Sequence, residues 1–183
     1  MHKLVASEAI PGLSDATVGD FWSWAYSDVL SNVTRSVYAE FLVASALGLT
    51  HEPRVEWDAV DLRYRGHGIE VKAAAYLQSW RQERLSTIRF DIARKRAWDA
   101  RSNTYATEPV RGADCYAFCL YPETDPAKVD VLDARRWCFY VLPTARIERE
   151  FGGQKGMALS TLEALASPVR YEALKGAIDG ALS

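Results

Sequence analysis

Residues 60–72 read Val60-Asp61-Leu62-Arg63-Tyr64-Arg65-Gly66-His67-Gly68-Ile69-Glu70-Val71-Lys72. Val60, Leu62 and Tyr64 alternate with Asp61, Arg63 and Arg65, and Ile69 and Val71 alternate with Glu70 and Lys72. That is the period of two half-buried strands. Gly66-His67 fits a two-residue turn with glycine first, the type II′ preference. The hairpin so drawn sets Arg65 opposite Gly68, Arg63 opposite Glu70 and Asp61 opposite Lys72. Asp61, Glu70 and Lys72 then share the polar face, and the apolar residues line the other.

Two carboxylates a few ångströms apart suit a hard divalent cation such as Mg²⁺, with water and substrate phosphate completing its shell. A neighbouring lysine can orient the attacking water or stabilise developing charge. An acid-x-Lys triplet arises about once by chance in a chain of this length, so the surroundings must carry the argument.

Outward from the hairpin, a helix is expected over Arg35–Leu47, capped by Thr34 and stopped by Gly48. Val37, Phe41, Ala44 and Leu47 mark its apolar side, and Glu40 lies among them. A carboxylate there needs a partner: an ion pair to Arg54 or Arg63, or a cation shared with Asp61. Glu56, Asp58 and Asp61 compete as the first acid. Strand parity favours Asp61, because Asp58 falls with the apolar residues, and a bulge would reverse that choice.

After Lys72 come three alanines, then Gln78, Ser79 and Trp80. Between Arg81 and Arg101 there are seven cations against three acids, with Trp80, Phe90 and Trp98 interleaved. Cations with aromatics among them suit a nucleic-acid groove, although such runs also form solvated surfaces. Gln78, Trp80, Arg81, Lys95 and Arg96 are the expected nucleic-acid contacts. Thr87–Ile92 alternates like an additional strand, and residues 100–112 are a loop or a flap over the site.

The spacing Asp61…Glu70-Val71-Lys72 resembles the signature of the PD-(D/E)XK, or restriction-endonuclease-like, nuclease superfamily, with Val60 where the eponymous proline would stand. The Phe21-Trp22-x-Trp24 and Glu-Val-Lys stretches resemble those of uncharacterised bacterial members. The resemblance covers about residues 34–142. It implies that Asp61 and Glu70, with the Val71 carbonyl, bind Mg²⁺ (Mn²⁺ as substitute), that Lys72 activates the water, and that Glu40 holds a second ion or a metal-bound water. DNA is then the substrate, and a homodimer that cuts both strands remains open. The alternative is a catalytically silent fold that binds nucleic acid or protein. A small-molecule enzyme would need a phosphate loop, a nucleophile elbow or a zinc set, none of which the sequence shows.

The remaining chain fits one α/β domain, a central mixed β-sheet flanked by helices, with extra N- and C-terminal helices. Asp114–Tyr121 is an almost continuous apolar run suited to a central strand, and Trp137–Pro143 to another core strand. Thr17 and Asp20 form a capping box for a helix reaching about Leu30. Its aromatics Phe21, Trp22, Trp24 and Tyr26 are expected to fix that helix to the domain, with a base-stacking platform as the other option. Ser160 caps a short helix, Pro168 ends it, and Tyr171–Leu182 forms the last. Phe151–Gly156 is glycine-rich without Walker spacing.

Among 183 residues, 22 Lys and Arg stand against 24 Asp and Glu, a net charge of −2. That excludes a histone-like polycation while allowing a local basic patch. No apolar run reaches the ~18 residues of a membrane span, and the first eight residues have no signal-like apolar core. Cys115, Cys119 and Cys138 leave at least one thiol unpaired, and no fourth thiolate or nearby histidine completes a zinc set. They are expected as small buried hydrophobes in a cytoplasmic protein, where the Asn32-Val33-Thr34 sequon is inert.

Overall fold

The run Cys115–Tyr121 forms strand β6, and all seven of its residues are buried. The structure, a computed structural model, describes residues 2–56, 58–96, 98–99, 104–105 and 107–183. In it β6 lies inside a four-stranded sheet with β1 (Leu62–Tyr64), β2 (His67–Ala75) and β7 (Cys138–Pro143), in the order β1-β2-β6-β7. The β2–β6 pair is parallel and the other two are antiparallel, so the sheet is mixed.

Apolar residues cover both faces of β6, which is why its sequence is apolar without alternation. On one face Ile69, Val71, Ala117 and Cys119 pack against Ala39, Leu42 and Val43 of α2 (Asn32–Leu47) and Leu174 and Ile178 of α5 (Tyr171–Leu182). On the other, Tyr116, Phe118 and Leu142 meet Phe90 of β3 (Arg89–Asp91), Ile147 of α3 (Thr144–Phe151), Met157 of β8 (Gly156–Ala158) and Leu162 of α4 (Leu159–Leu165). Trp137 is fully buried, its indole N–H donating to the Val131 carbonyl at 2.9 Å. The free thiols Cys115 and Cys119 sit in the sheet core, and Cys138 is half-buried. The fold is thus mixed α/β with helices against a central mixed sheet.

The hairpin forms with a different register from the one the turn chemistry suggested. Leu62 pairs with Ile69, Arg63 with Gly68 and Tyr64 with His67. The turn residues are therefore Arg65 (φ 51°) and Gly66 (φ 86°), both left-handed. Two successive positive φ values match the twist of the flanking strands. The left-handed backbone at Arg65 costs roughly 1–2 kcal/mol. Its guanidinium lies over the Tyr64 ring at 4.9 Å and reaches Asp179 at 3.4 Å. Gly68 is needed inside the strand, since a Cβ there would meet Val60 Cγ1 at 2.8 Å. The slip is two residues, so the paired strands keep their faces, and the register brings Asp61 level with Glu70 rather than Lys72. Ahead of β1 the alternation breaks: Val60 packs with the cluster on the far side of the sheet from Leu62 and Tyr64.

The link from β2 to β6 contains β3 and a small hairpin of β4 (Trp98–Asp99) and β5 (Thr104–Tyr105), with no helix among the described residues. The alternating stretch at 87–92 yields β3, which pairs with β8 outside the main sheet. Of the 100–112 loop, residues 100–103 and 106 lie outside the described residues.

The helices depart from expectation in three ways. The α1 helix (Val18–Tyr26) has the Thr17–Asp20 capping box but ends before Leu30. Val18 is its buried residue. Of its four aromatics only Trp22 is half-buried, on the side facing α2, while Phe21, Trp24 and Tyr26 are 48%, 85% and 48% exposed. At 100° per residue they spread around the helix, so one contact face cannot bury them all. In α2 the cap is Ser31 rather than Thr34, and Gly48 closes the helix at φ 73°. The apolar buried residues are Ala39, Leu42, Val43, Ala44 and Leu47, which keeps the expected Ala44 and Leu47 but leaves Phe41 exposed. The α4 helix starts at Leu159, after Ala158, without a side-chain cap from Ser160. No helix among the described residues is long and apolar enough to cross a membrane.

Candidate functional site

Asp61 lies just before β1, where β2 continues unpaired on that side. Its Oδ2 accepts the Val71 backbone N–H at 2.7 Å. Burial lifts its pKa to about 6, the negative charge of Glu70 adds to the shift, the Val71 N–H works against it, and Glu40 raises it further. Such a group is first of all a desolvated carboxyl, and the charge of Lys72 offsets only part of what burial and the two glutamates impose. Val71 enters through its backbone, since its side chain packs against α2.

Glu70 and Lys72 project from β2 on the face opposite Ile69 and Val71. Lys72 Nζ donates to Glu70 Oε1. The same oxygen accepts from Lys95 Nζ at 3.2 Å. The Glu70 and Lys72 side chains are 13% and 17% exposed and that of Lys95 is 58%, so Lys95 forms the outer rim. Burial pulls the Lys95 ammonium down, but Glu70 outweighs this and leaves its pKa raised. Sequence reasoning expected Lys95 to contact phosphate; the fold sets it on Glu70.

Lys95 is held in place by a residue without a signal in the sequence. Its backbone exchanges two hydrogen bonds with Val110, both 2.9 Å. Next to Val110, the buried Arg111 donates to the carbonyls of Ile92 (2.7 Å), Gly152 (2.8 Å) and Gln154 (3.0 Å), and pairs with Glu148 at 2.8 Å. A single arginine thus ties the crossover to the glycine-containing turn after α3. Loop arginines follow no periodicity, so pattern reading passes over it.

Glu40 is buried on α2 and is gripped by Arg54 through two hydrogen bonds, Nη2 to Oε1 at 2.9 Å and Nε to Oε2. This is one of the two ion pairs foreseen for it. Its charge still acts on Asp61. Glu40 therefore approaches Asp61 from the α2 side, and Glu70 from the opposite face of the sheet. Asp58 is exposed and engaged by Arg63 at 3.0 Å, on the same open surface as Glu40 and Asp61.

Among the described residues no three His, Cys, Asp or Glu side chains are already gathered as a metal cage. The donor set nevertheless suits a hard cation. Neither Asp61 Oδ1 nor Glu70 Oε2 makes a hydrogen bond among the described residues, and burial, with Glu70 adding to it, disfavours a bare charge on Asp61. Mg²⁺ binds through one or two carboxylates and keeps several waters.

The remaining expected contacts divide. The Gln78 amide is consumed internally: Oε1 accepts from Arg35 Nη1 and Nη2 at 3.4 and 3.3 Å, and Nε2 donates to Ala75 O at 2.9 Å and Ser86 Oγ at 3.1 Å. Arg35 is itself buried, so this amide belongs to the fold. Trp80, Arg81 and Arg96 are exposed. Arg94 is paired with Glu148, and Arg101 lies outside the described residues. The Trp98 and Tyr105 rings meet across the β4–β5 hairpin with centroids 4.9 Å apart and planes tilted by 58°.

The raised pKa of Asp61 predicts how stability depends on pH. The folded value of about 6 exceeds the ordinary 3.8, so the native state binds this proton more tightly than the unfolded chain. Its contribution is full below about pH 4 and is lost as pH rises through about 6. Asp61→Asn should therefore stabilise the cation-free protein at about pH 8, on the order of 2 kcal/mol, with no gain near about pH 4. Urea melts at the two pH values measure this, and equal gains at both would contradict the assignment. Compared with protein-family models and with curated proteins, the chain matches none of either.

Proposed function

We propose that the chain is a metal-dependent nuclease that hydrolyses DNA phosphodiester bonds. The observation that carries this reading is Asp61: a buried carboxyl raised to about 6, beside Glu70 and Glu40, fastened to the backbone N–H that lies between Glu70 and Lys72. A helix bearing a buried glutamate, a hairpin bearing Asp61 and Glu70-Val71-Lys72, and a parallel crossover to β6 agree in outline with a restriction-endonuclease-like core over about residues 34–142. That core would have three sheet strands and then a helix before the next strand; here the main sheet has two strands, β1 and β2, before β6, and the crossover holds no helix among the described residues.

Asp61 and Glu70, with the Val71 carbonyl, would hold Mg²⁺, or Mn²⁺ in its place. Glu40 would reach a second ion or a metal-bound water after loosening from Arg54. The bound cation supplies a water of lowered pKa and neutralises phosphate charge. Lys72, held by Glu70, orients that water and stabilises charge developing on the phosphate. Lys95 and Arg96 on the rim, with Trp80 and Arg81 further out, offer cations and a stacking surface to the DNA backbone and bases.

Supercoiled, linear, single-stranded and branched DNA, each incubated with Mg²⁺ or Mn²⁺, test the reading. Cleavage of at least one is expected. Millimolar Mg²⁺ should also raise the melting temperature of the wild type, through binding to the native state alone, and should not do so for Asp61→Asn. Absence of both cleavage and cation-dependent stabilisation would overturn the proposal.

One observation favours a second reading, a silent nuclease-like fold that binds nucleic acid or protein. Glu40 is satisfied by Arg54, and Glu70 by Lys72 and Lys95, so much of the constellation is already neutralised internally. In that case DNA or protein binding persists, while Mg²⁺ changes neither stability nor any substrate.

A further inference from the structure

The Glu70 carboxylate carries more positive charge than a single acid requires. Lys72 and Lys95 both donate to its Oε1, while Oε2 accepts from neither. Glu70 and Lys72 also act through charge on Asp61, so two acids are matched there by two ammonium groups. A divalent cation held by Asp61 and Glu70 would add two positive charges to that balance. Like charges a few ångströms apart repel even where water screens them, so one ammonium has to leave Glu70.

The surroundings of the two lysines decide which one leaves. Lys72 rises from the middle of β2, and its side chain is only 17% exposed. Lys95 reaches Glu70 from the crossover, with its side chain 58% exposed. Its backbone is fixed by the two bonds to Val110, and the neighbouring Arg111 anchors that segment to three carbonyls. An ammonium on a flexible stem with a fixed base can turn away from Glu70 by side-chain rotation alone. Asp91 of β3 also attracts Lys95, but it is exposed and its Oδ1 accepts the Ala93 N–H at 3.0 Å.

We infer that Lys95 is an exchangeable counter-ion: it holds Glu70 in the cation-free protein, yields Glu70 to a divalent cation, and turns to a DNA phosphate. Loading of the site thereby creates a phosphate contact that the cation-free protein lacks. DNA in turn favours the loaded state, because such coupling is reciprocal. The inference rests on the nuclease reading for the placement of the cation at Glu70 and of the phosphate at the rim.

The test compares wild type with Lys95→Met, which keeps an unbranched stem and removes the charge. The backbone pairing with Val110 does not depend on the side chain, and thermal melts establish that the variant is folded. Calorimetry uses Ca²⁺, an oxygen-liganded cation. Without DNA, Lys95→Met should bind it about two- to fivefold more tightly, the range for removing a part-exposed ion pair. A fluorescein-labelled duplex of about 20 base pairs is then titrated at several salt concentrations, each phosphate contact adding about one unit to the slope of log affinity against log salt. In Ca²⁺ the Lys95→Met slope should be shallower than that of wild type by about one unit. In EDTA the two slopes should agree.

A permanent rim cation would change the slope in both media, and a purely structural partner of Glu70 in neither; either pattern overturns the inference. So does an unchanged or weaker Ca²⁺ affinity in Lys95→Met, or a wild type that binds no Ca²⁺ or no duplex. Cleavage in Mg²⁺ is read separately. Cleavage without the Ca²⁺-dependent slope difference removes the exchange and leaves the nuclease. The slope difference with no DNA cut removes the nuclease and leaves a cation-gated DNA contact.

Discussion

Lys72→Ala should lower Mg²⁺-dependent DNA cleavage about 10²- to 10⁴-fold, the range that a positioned proton-transfer group contributes. The same substitution should leave cation binding intact or tighter. Lys72 and Lys95 both donate to Glu70 Oε1, so removing one ammonium takes away a competitor for that carboxylate. Glu70 is not stranded, because Lys95 remains, and the fold should survive with a small loss of stability. Single-turnover cleavage and calorimetric Mg²⁺ titration on the same preparations separate the two effects. A variant that cuts at the wild-type rate would place the chemistry elsewhere. One that neither cuts nor binds the cation would make Lys72 a structural partner of Glu70.

The second large effect is expected far from the proposed chemistry. Arg111→Ala should cost about 3–5 kcal/mol of stability, as expected when one partner of a buried ion pair is removed. The side chain is fully enclosed, and its loss leaves three carbonyls, at Ile92, Gly152 and Gln154, without this donor. Glu148 is affected less, because Arg94 still reaches it. Arg111→Lys should recover little, since an ammonium lacks the planar fork that serves several acceptors at once. Urea denaturation measures the change; a loss below about 1 kcal/mol would mean that water or a neighbour takes over the three carbonyls. Because Val110 pairs with Lys95, a folded fraction of this variant should also show weakened DNA binding through the rim.

Much of the architecture was legible in the chain itself. The apolar run at 114–121 suited a central strand, and the structure places residues 115–121 between β2 and β7, covered on both faces. The alternation at 60–72 assigned Asp61, Glu70 and Lys72 to one polar side. Glu70 and Lys72 do lie opposite Ile69 and Val71, but ahead of β1 the alternation breaks, with Val60 packed on the Glu70 side and Asp61 open toward α2. The capping box at Thr17–Asp20, the stop at Gly48 and the helix Tyr171–Leu182 were equally local matters. Each depends on backbone chemistry within a few residues, and such chemistry is written in sequence order.

Other features depended on neighbours distant in the chain. The register was decided by Val60 closing over Gly68 and by two left-handed residues at the turn. A helix pattern shows that a face is apolar but not whether anything arrives to cover it, so α1 keeps Phe21, Trp24 and Tyr26 in solvent, and α2 buries Ala44 and Leu47 as expected but adds Ala39, Leu42 and Val43 in place of Phe41. Gln78 was drawn inward by the buried Arg35, and Lys95 was carried 25 positions along the chain to Glu70. The sequence by itself determined the period of the strands, the Thr17–Asp20 cap, the Gly48 stop and the presence of the set Asp61, Glu70 and Lys72 along one hairpin. Only the tertiary structure decided the partners of that set and the raised pKa of Asp61, because desolvation and Coulomb interaction act through space, over distances that chain order does not encode.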